Sequence, residues 1–265
     1  MSELDKLRDA LNFLTQHLPG ASELKEIADQ GSVVLDTCRK SDMDTELTGK
    51  ETVSYNAENF QTALDNFRKR NFCRLEIGRL YERYIGYLYE EDGWRVAFTG
   101  VLGGYEDLGR DLVCIRGNEH QIIQAKFWSQ KKQIHEKHVY QLFATVTHYR
   151  FQLREALVLK HGRKKAKEIM KTIKISGHLF STTGLSEVAT KVAKHCSITF
   201  RHVPLSKDYP MVKCNITRHT GEKLYHLPFD KQYDSIIIGN VDGERYVNSV
   251  AEAEEIGFRR VGYAN

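Results

Sequence analysis

The chain has 265 residues, of which 41% are hydrophobic, so it is long enough to bury one large core or two modest ones. Its net charge of +4 is a mild positive excess, which is compatible with a nucleic-acid partner but not specific for one. No run approaches the roughly 18 apolar residues of a membrane span, and the five scattered cysteines form no CxxC pair, which excludes a disulfide scaffold. We therefore expect a cytoplasmic protein with reduced thiols and no membrane segment.

Residues 1–56 are predicted to be a helical region followed by a polar loop. Leucines recur at alternating spacings of three and four before Pro19-Gly20, in a heptad-like seam made of Leu4, Leu7, Leu11, Leu14 and Leu18. The seam spans fewer than three heptads, which favours packing within the same subunit. A surface for a homo-oligomer or a partner protein is the alternative.

The middle of the chain alternates between predicted helices and strands. In order, we expect a long helical region at 57–91, a strand at 94–99, a hairpin whose turn is 116–119, a helix at 135–149, a strand at 173–183, a helix at 186–194 and a strand at 197–203. This alternation predicts an α/β core with a mixed sheet, which we assign to residues 57–207.

A basic stretch runs from Arg150 to Lys174, with nine basic residues and two acidic ones. A solvated helical face explains such a pattern. Contact with phosphate groups is the alternative, with Arg163, Lys164 and Lys165 as the candidate nucleic-acid-binding residues.

Residues 208–265 are predicted to form a small, separate α+β module after a linker bracketed by Pro204 and Pro210. Turn signals occur at 219–222 and 240–244. A last helix is expected from Ser249 to Ile256, where Gly257 ends it.

The hairpin groups residues that suit phosphodiester hydrolysis. Asp111 ends a glycine-rich turn, and Gln124 and Lys126 are expected on one face of the next strand because side chains alternate along a strand. Mg²⁺ takes oxygen ligands, so the carboxylate of Asp111 and the carbonyl of Ala125 are candidate metal ligands. Lys126 would stabilise negative charge at the scissile phosphate and lower the pKa of the attacking water.

Two further residues are candidates for this site. Gln124 offers a metal only a neutral oxygen, and Glu82, on the helical region before the first strand, is the acid that would compensate as a metal ligand and catalytic residue. Trp128, on the expected Lys126 face, is a candidate stacking platform for nucleic acid.

Several segments in this order resemble the Mrr-like branch of the restriction-endonuclease-like, or PD-(D/E)xK, nucleases in its D…QxK form. The resemblance spans residues of about 78–203 and is carried by the helix with Glu82, the turn at 107–111, the Gln124-Ala125-Lys126 strand, the helix with Gln141, and the strand at 177–183 with its following helix. It implies an α/β/α core with a mixed central sheet, flanked in this chain by the N-terminal helices and the C-terminal module. Asp111, Gln124, Lys126 and Glu82 carry over as catalytic, and Gln141 as a residue that faces the site.

The resemblance also implies a function, namely endonucleolytic cleavage of DNA, most simply double-stranded, with Mg²⁺ as the metal and Mn²⁺ as a possible substitute. Such an enzyme would act in defence against foreign DNA as a restriction or antiviral effector. One alternative is a nuclease of the same fold that cuts RNA or single strands. Another is a partner-activated nucleic-acid-binding subunit, although the catalytic positions Asp111, Gln124 and Lys126 are all intact.

Overall fold

The computed structural model describes residues 57–99, 109–239 and 241–262. The predicted N-terminal helices, with their leucine seam, and most of the glycine-rich turn, including Asp107, lie outside these residues. The described residues form one compact unit. We number its elements along the described part of the chain.

Six helices lie in the described residues, and each of them is too short or too polar to span a bilayer. They are α1 (Ala57–Lys69), α2 (Arg74–Glu91), α3 (Glu136–His161), α4 (Arg163–Thr172), α5 (Glu187–His195) and α6 (Val250–Glu255).

The expectation of one helical region over 57–91 was wrong in one respect, because α1 and α2 are separate helices. The backbone at Cys73 is extended. Its N–H donates to the Glu76 side chain over 2.8 Å, which caps the first turn of α2. The ring of Phe72, in the segment between the two helices, packs against Phe67 of α1 with centroids 5.2 Å apart.

The first sheet has the strand order β1-β2-β3-β4-β5. Its strands are β1 (Arg95–Phe98), β2 (Leu112–Arg116), β3 (Glu119–Lys126), β4 (Lys174–Ser181) and β5 (Ile198–His202). Strands β1, β2 and β3 are antiparallel neighbours, whereas β3, β4 and β5 run parallel, so the sheet is mixed as predicted. The β2–β3 hairpin turns at Gly117, whose φ is +58°.

Helices cover both faces of this sheet. On one face α2 packs through Tyr81 and Ile85 onto Leu112 and Ile123. On the other face α3 and α5 pack onto the neighbouring strand positions, in a core that includes Val113, Ile122, Leu142 and Ala189. The predicted α/β/α layering is confirmed.

Helix α3 is longer than predicted. It spans 26 residues and passes the expected end at Tyr149, because no glycine or proline interrupts it before Gly162. Its buried residues all lie between Val139 and Val146. The apolar periodicity therefore stopped where α3 leaves the sheet, not where the helix ends. Gly162, with φ +78°, separates α3 from α4, so the basic stretch is mostly helical and exposed.

The second sheet has the order β8-β6-β7-β9. Its strands are β6 (Val212–Ile216), β7 (Lys223–His226), β8 (Arg245–Val247) and β9 (Arg259–Arg260). Helix α6 begins after Ser249, whose side chain accepts a hydrogen bond from the N–H of Glu252 over 3.1 Å. Leu64 of α1 and Leu80 of α2 are buried with Val212 and Tyr225. The sheet of the predicted C-terminal module thus shares a core with α1 and α2.

Candidate functional site

The β2–β3 hairpin brings Asp111 next to the end of β3. The N–H of Asp111 donates to the carbonyl of Ile123 over 3.0 Å, immediately before the paired positions Leu112 and Ile123. Val113 and Ile122 lie in the core beneath α3. Because side chains alternate along strands, those of Asp111, Gln124 and Lys126 belong to the same α3-covered face.

Asp111 is held in one orientation by its surroundings. Its side chain is buried, and Oδ2 accepts a hydrogen bond from the N–H of Ala125 over 2.6 Å. Its backbone carbonyl accepts the N–H of Thr99 over 3.0 Å. A buried carboxylate fixed by a backbone donor is pre-organised, so it would lose little conformational entropy on binding a cation.

Gln124 is fully buried, and only one of the two polar groups of its side-chain amide has hydrogen-bond partners among the described residues. Its Nε2 donates to the carbonyl of Gly109 over 3.0 Å and to Oε1 of Gln141 over 3.3 Å. Its Oε1 is buried and has no hydrogen-bond partner among the described residues. A buried acceptor without a partner costs about 1–3 kcal/mol, so this oxygen is suited to a donor or a cation that enters the site.

Lys126 lies at the open end of the same face. Its side chain is half-buried, and its carbonyl accepts hydrogen bonds from Ser181 Oγ over 3.0 Å and from the N–H of Thr182 over 3.2 Å. These bonds lock the end of β3 to the end of β4. Lys126 is therefore on rigid backbone, with a side chain that can reach solvent.

His138 is a neighbour of the site that was not among the candidate site residues. Burial, and after it the charge of Lys126, lower the pKa of His138 to about 4. Its Nε2 is buried without a partner in the described part of the chain, and its ring meets Trp128 edge-on with centroids 5.0 Å apart. The sequence feature that could have identified His138 is its spacing of three residues from Gln141, because residues three apart on a helix lie on the same face.

Trp128 and Gln141 differ in how far their side chains are exposed to solvent. Trp128 is half-buried and packs on His138 and the α3-side core, so its ring is partly occupied by protein contacts. Gln141 is exposed although its Oε1 bonds to Gln124. Gln141 is thus the better placed of the two to meet a substrate.

Other predicted site residues are not brought to this point by the described contacts. Glu82 is half-buried on α2, which covers the face of the sheet opposite to Gln124. Arg163, Lys164 and Lys165 are exposed at the start of α4, and α4 leads into the Lys174 end of β4. In the register of β3 and β4, Lys174 lies opposite Glu119, and Lys126 lies opposite Ser181 at the other end of β3. The C-terminus of α4 therefore lies near the end of the sheet that is far from Lys126.

The donor set for a metal is small. Among the described residues, no group of three or more histidine, cysteine, aspartate or glutamate side chains could hold an ion. The oxygens at hand are the Asp111 carboxylate, the orphaned Oε1 of Gln124 and the backbone carbonyl of Ala125. Mg²⁺ keeps several waters and is commonly held by one or two carboxylates, so this set fits a weakly held hard cation.

Residues 77–176 match a family model described as restriction endonuclease, the Mrr catalytic family. No curated protein matched the chain. Among solved structures, the MspJI restriction endonuclease in complex with a 27-mer oligonucleotide is 15% identical with a TM-score of 0.30, over 57% of this chain and 32% of that one. EndoMS in its apo form is 14% identical with a TM-score of 0.28, over 52% and 49%.

A protein of unknown function, AF1548, is 19% identical with a TM-score of 0.29, over 46% of this chain and 56% of that one. The alignments thus span less than two thirds of each of these solved chains. At such TM-scores the likenesses are loose, and the assignment rests on the match in sequence and on the mixed α/β layering described above. Residues 77–176, which contain Asp111, Gln124 and Lys126, are therefore similar to the catalytic domain of the Mrr restriction endonucleases.

Proposed function

We propose that this chain is a metal-dependent endonuclease that hydrolyses DNA phosphodiester bonds. The observation that carries the proposal is the buried, unpartnered Oε1 of Gln124 on the same sheet face as the pre-organised carboxylate of Asp111. Both lie inside the segment that matches restriction endonucleases. An unsatisfied buried acceptor beside a buried acid needs a cation or a donor to balance it.

The residues of the candidate site have different roles according to their positions. Asp111, Gln124 Oε1 and the carbonyl of Ala125 would hold Mg²⁺, or Mn²⁺ in its place, whereas Glu82 lies on the helix that covers the opposite face of the sheet and is left out of this ligand set. When bound, the ion supplies charge neutralisation at the phosphate and acidifies a bound water. Lys126 stabilises the negative charge that develops on the phosphoryl oxygens. Gln141, exposed next to Gln124, contacts the DNA backbone.

His138 acts as a neutral group beside Lys126. Its lowered pKa, about 4, means that it does not add a second positive charge near Lys126 at neutral pH. The orphaned Nε2 of His138 can then accept a hydrogen bond from a water or from the ammonium of Lys126. We assign it a positioning role.

The wider biology follows from the family match and from chemistry. Restriction endonucleases cut foreign DNA, so we propose a defence role. Cleavage of both strands needs two such sites, which favours a homo-oligomer or a partner protein. The described cysteines, Cys73, Cys114, Cys196 and Cys214, are free thiols, in keeping with the reducing cytoplasm.

The test is cleavage of supercoiled plasmid with Mg²⁺, with Mn²⁺ and with EDTA. Wild-type protein should nick or linearise the plasmid only with metal. Asp111→Asn and Lys126→Met should each lower the rate at least about a hundredfold, because a single pre-organised electrostatic contact contributes about that much. Lys131→Met is the matched control, since Lys131 is exposed in the loop after β3, and it should cleave like wild type.

Circular dichroism checks that each variant is folded. Cleavage in EDTA, or undiminished cleavage by folded Lys126→Met, would place the activity elsewhere. Cleavage of RNA but not of plasmid would retain the site and change the substrate.

A further inference from the structure

A groove separates the last third of α3 from α4, away from Lys126. It is open to solvent, has a volume of about 1290 Å³, and continues to Ile173 and Ile175 at the start of β4. Small-molecule pockets usually measure about 300–1,000 Å³. The groove is therefore large and open for a metabolite and is better suited to a segment of a macromolecule.

The groove exposes apolar side chains that a soluble protein normally covers. Leu159 is 89% exposed and Phe151 is 56% exposed. Met170 and Ile175 are half-buried beside them. Contiguous apolar residues with a polar rim mark an interaction surface.

The rim is basic and largely unpaired. Arg150, Arg154, Arg163 and Lys167 line the groove and make no ion pair within the described residues. Glu155 is the acid among the lining residues. An occupant with negative charge at its edges would complement this rim.

The groove is remote from the candidate catalytic residues. Its floor reaches the Lys174 end of β4, which pairs with Glu119, whereas Lys126 lies at the opposite end of β3. Those ends are about 23 Å apart at about 3.3 Å per strand residue. The groove therefore belongs to a different surface from the candidate site.

We propose that this groove docks an acidic amphipathic helix of a partner protein, with apolar side chains on Leu159 and Phe151 and carboxylates on the basic rim. A helix in a groove buries a stripe of side chains spaced three and four residues apart, which matches an apolar floor between two charged edges. DNA would pair with the basic rim but would leave Leu159 and Phe151 without apolar partners. A second copy would bring the same basic rim against itself, which like charges disfavour.

The proposal is tested on the whole chain with a labelled model peptide. The probe is a helix of about four turns, or about 15 residues, with leucines on one face and glutamates on the others. A peptide of the same composition in scrambled order and a short DNA duplex are compared with it. We expect the amphipathic peptide to bind in fluorescence polarisation, and Leu159→Ser and Arg154→Ser each to weaken it at least tenfold.

Two exposed positions supply matched controls. Val188→Ser removes an exposed apolar side chain on α5, and Lys160→Ser removes an exposed basic one on α3 that does not line the groove. Neither should change peptide binding. Plasmid cleavage by Leu159→Ser should equal that of wild type, so loss of peptide binding and loss of nuclease activity are separate outcomes.

Several results would overturn the proposal. One is the absence of binding, and another is equal binding of the scrambled peptide, which would reduce the effect to charge alone. A duplex that competes with the peptide and depends on Arg154 but not on Leu159 would make the groove a nucleic-acid surface. A dimer of wild type that Leu159→Ser dissociates in light scattering would make it an interface between copies.

Discussion

Gly109 occupies a position where a side chain would strain the backbone and disturb the candidate site. Its φ is +74°, and a Cβ built there would lie 2.4 Å from Gln141 Nε2 and 3.1 Å from Gln124 Nε2. Its carbonyl also accepts the hydrogen bond from Gln124. The sequence predicted a glycine-rich turn before Asp111, but this contact across three elements could not be predicted from spacing.

Gly109→Ala should therefore reduce both stability and cleavage. A non-glycine residue in the left-handed region costs roughly 1–2 kcal/mol, and displacement of Gln124 and Gln141 should lower the cleavage rate by at least about tenfold. Gly117→Ala is the control, because Gly117 has φ +58° and no atom within 4 Å of its Cβ position. Urea unfolding and plasmid cleavage measure the two effects. Equal cleavage by both variants would show that Gly109 matters only to the backbone.

Helix α2 packs against both sheets, and buried polar contacts join it to β8 and to the segment between β7 and β8. Arg83 donates to both carboxylate oxygens of Asp234, over 2.7 and 2.8 Å, and to the carbonyl of Pro228 over 2.9 Å. Glu90 accepts the N–H of Ile238 over 3.2 Å and the hydroxyl of Tyr246. Burial raises the pKa of Glu90. These contacts fix α2 against the second sheet by specific geometry as well as by apolar packing.

Arg83→Met should be strongly destabilising, because it leaves the charge of Asp234 buried without its partner. The side chains of Arg83 and Asp234 are only 15% and 10% exposed, and breaking a buried pair costs about 3–5 kcal/mol. The double variant Arg83→Met/Asp234→Leu should be more stable than the single one, since no buried charge remains. Urea denaturation gives both values.

The ion pair between Lys174 and Glu119, with side chains 81% and 46% exposed, is an exposed reference for the stability cost of breaking the buried pair. Lys174→Met should change stability by at most about 1 kcal/mol. If Arg83→Met cost no more than this reference, the contact between Arg83 and Asp234 would not be what secures α2 to the second sheet.

At the scale of the whole molecule, the described residues after 57 form one unit rather than two independent ones. Leu64 and Leu80 are buried in a core with Tyr209, Val247 and Phe258, so removal of the second sheet would expose the outer face of α1 and α2. The described residues from 57 onward belong to one compact unit. The boundary expected near 207 therefore separates two sheets that both pack against α2.

The stability of this unit should fall in mild acid. Burial lowers the pKa of His178 and His226 to about 4, whereas a histidine in an unfolded chain titrates near 6.5. Between these values the unfolded chain binds protons that the folded chain excludes. The stabilising effect is therefore complete above about pH 6.5 and is lost as the pH falls towards 4. Glu90 works in the opposite direction, because its pKa is raised on folding.

Variants isolate the histidine contribution from that of Glu90. Urea midpoints measured from pH 7 to 4.5 should fall less steeply for His178→Gln/His226→Gln than for wild type. His148→Gln replaces an exposed histidine and should follow wild type. An unchanged slope in the double variant would show that these two histidines do not govern acid sensitivity.

The sequence by itself determined the order of elements, the mixed α/β layering and the grouping of Asp111, Gln124 and Lys126, because strand alternation and hairpin turns are local rules. It placed the end of α3 at Tyr149, since periodicity reports burial and not helix length. Only the tertiary structure decided that Gln124 Oε1 is buried without a partner, that His138 lies beside Lys126, and that the second sheet completes the core of α1 and α2. These features depend on contacts between residues far apart in the chain, which no local pattern records.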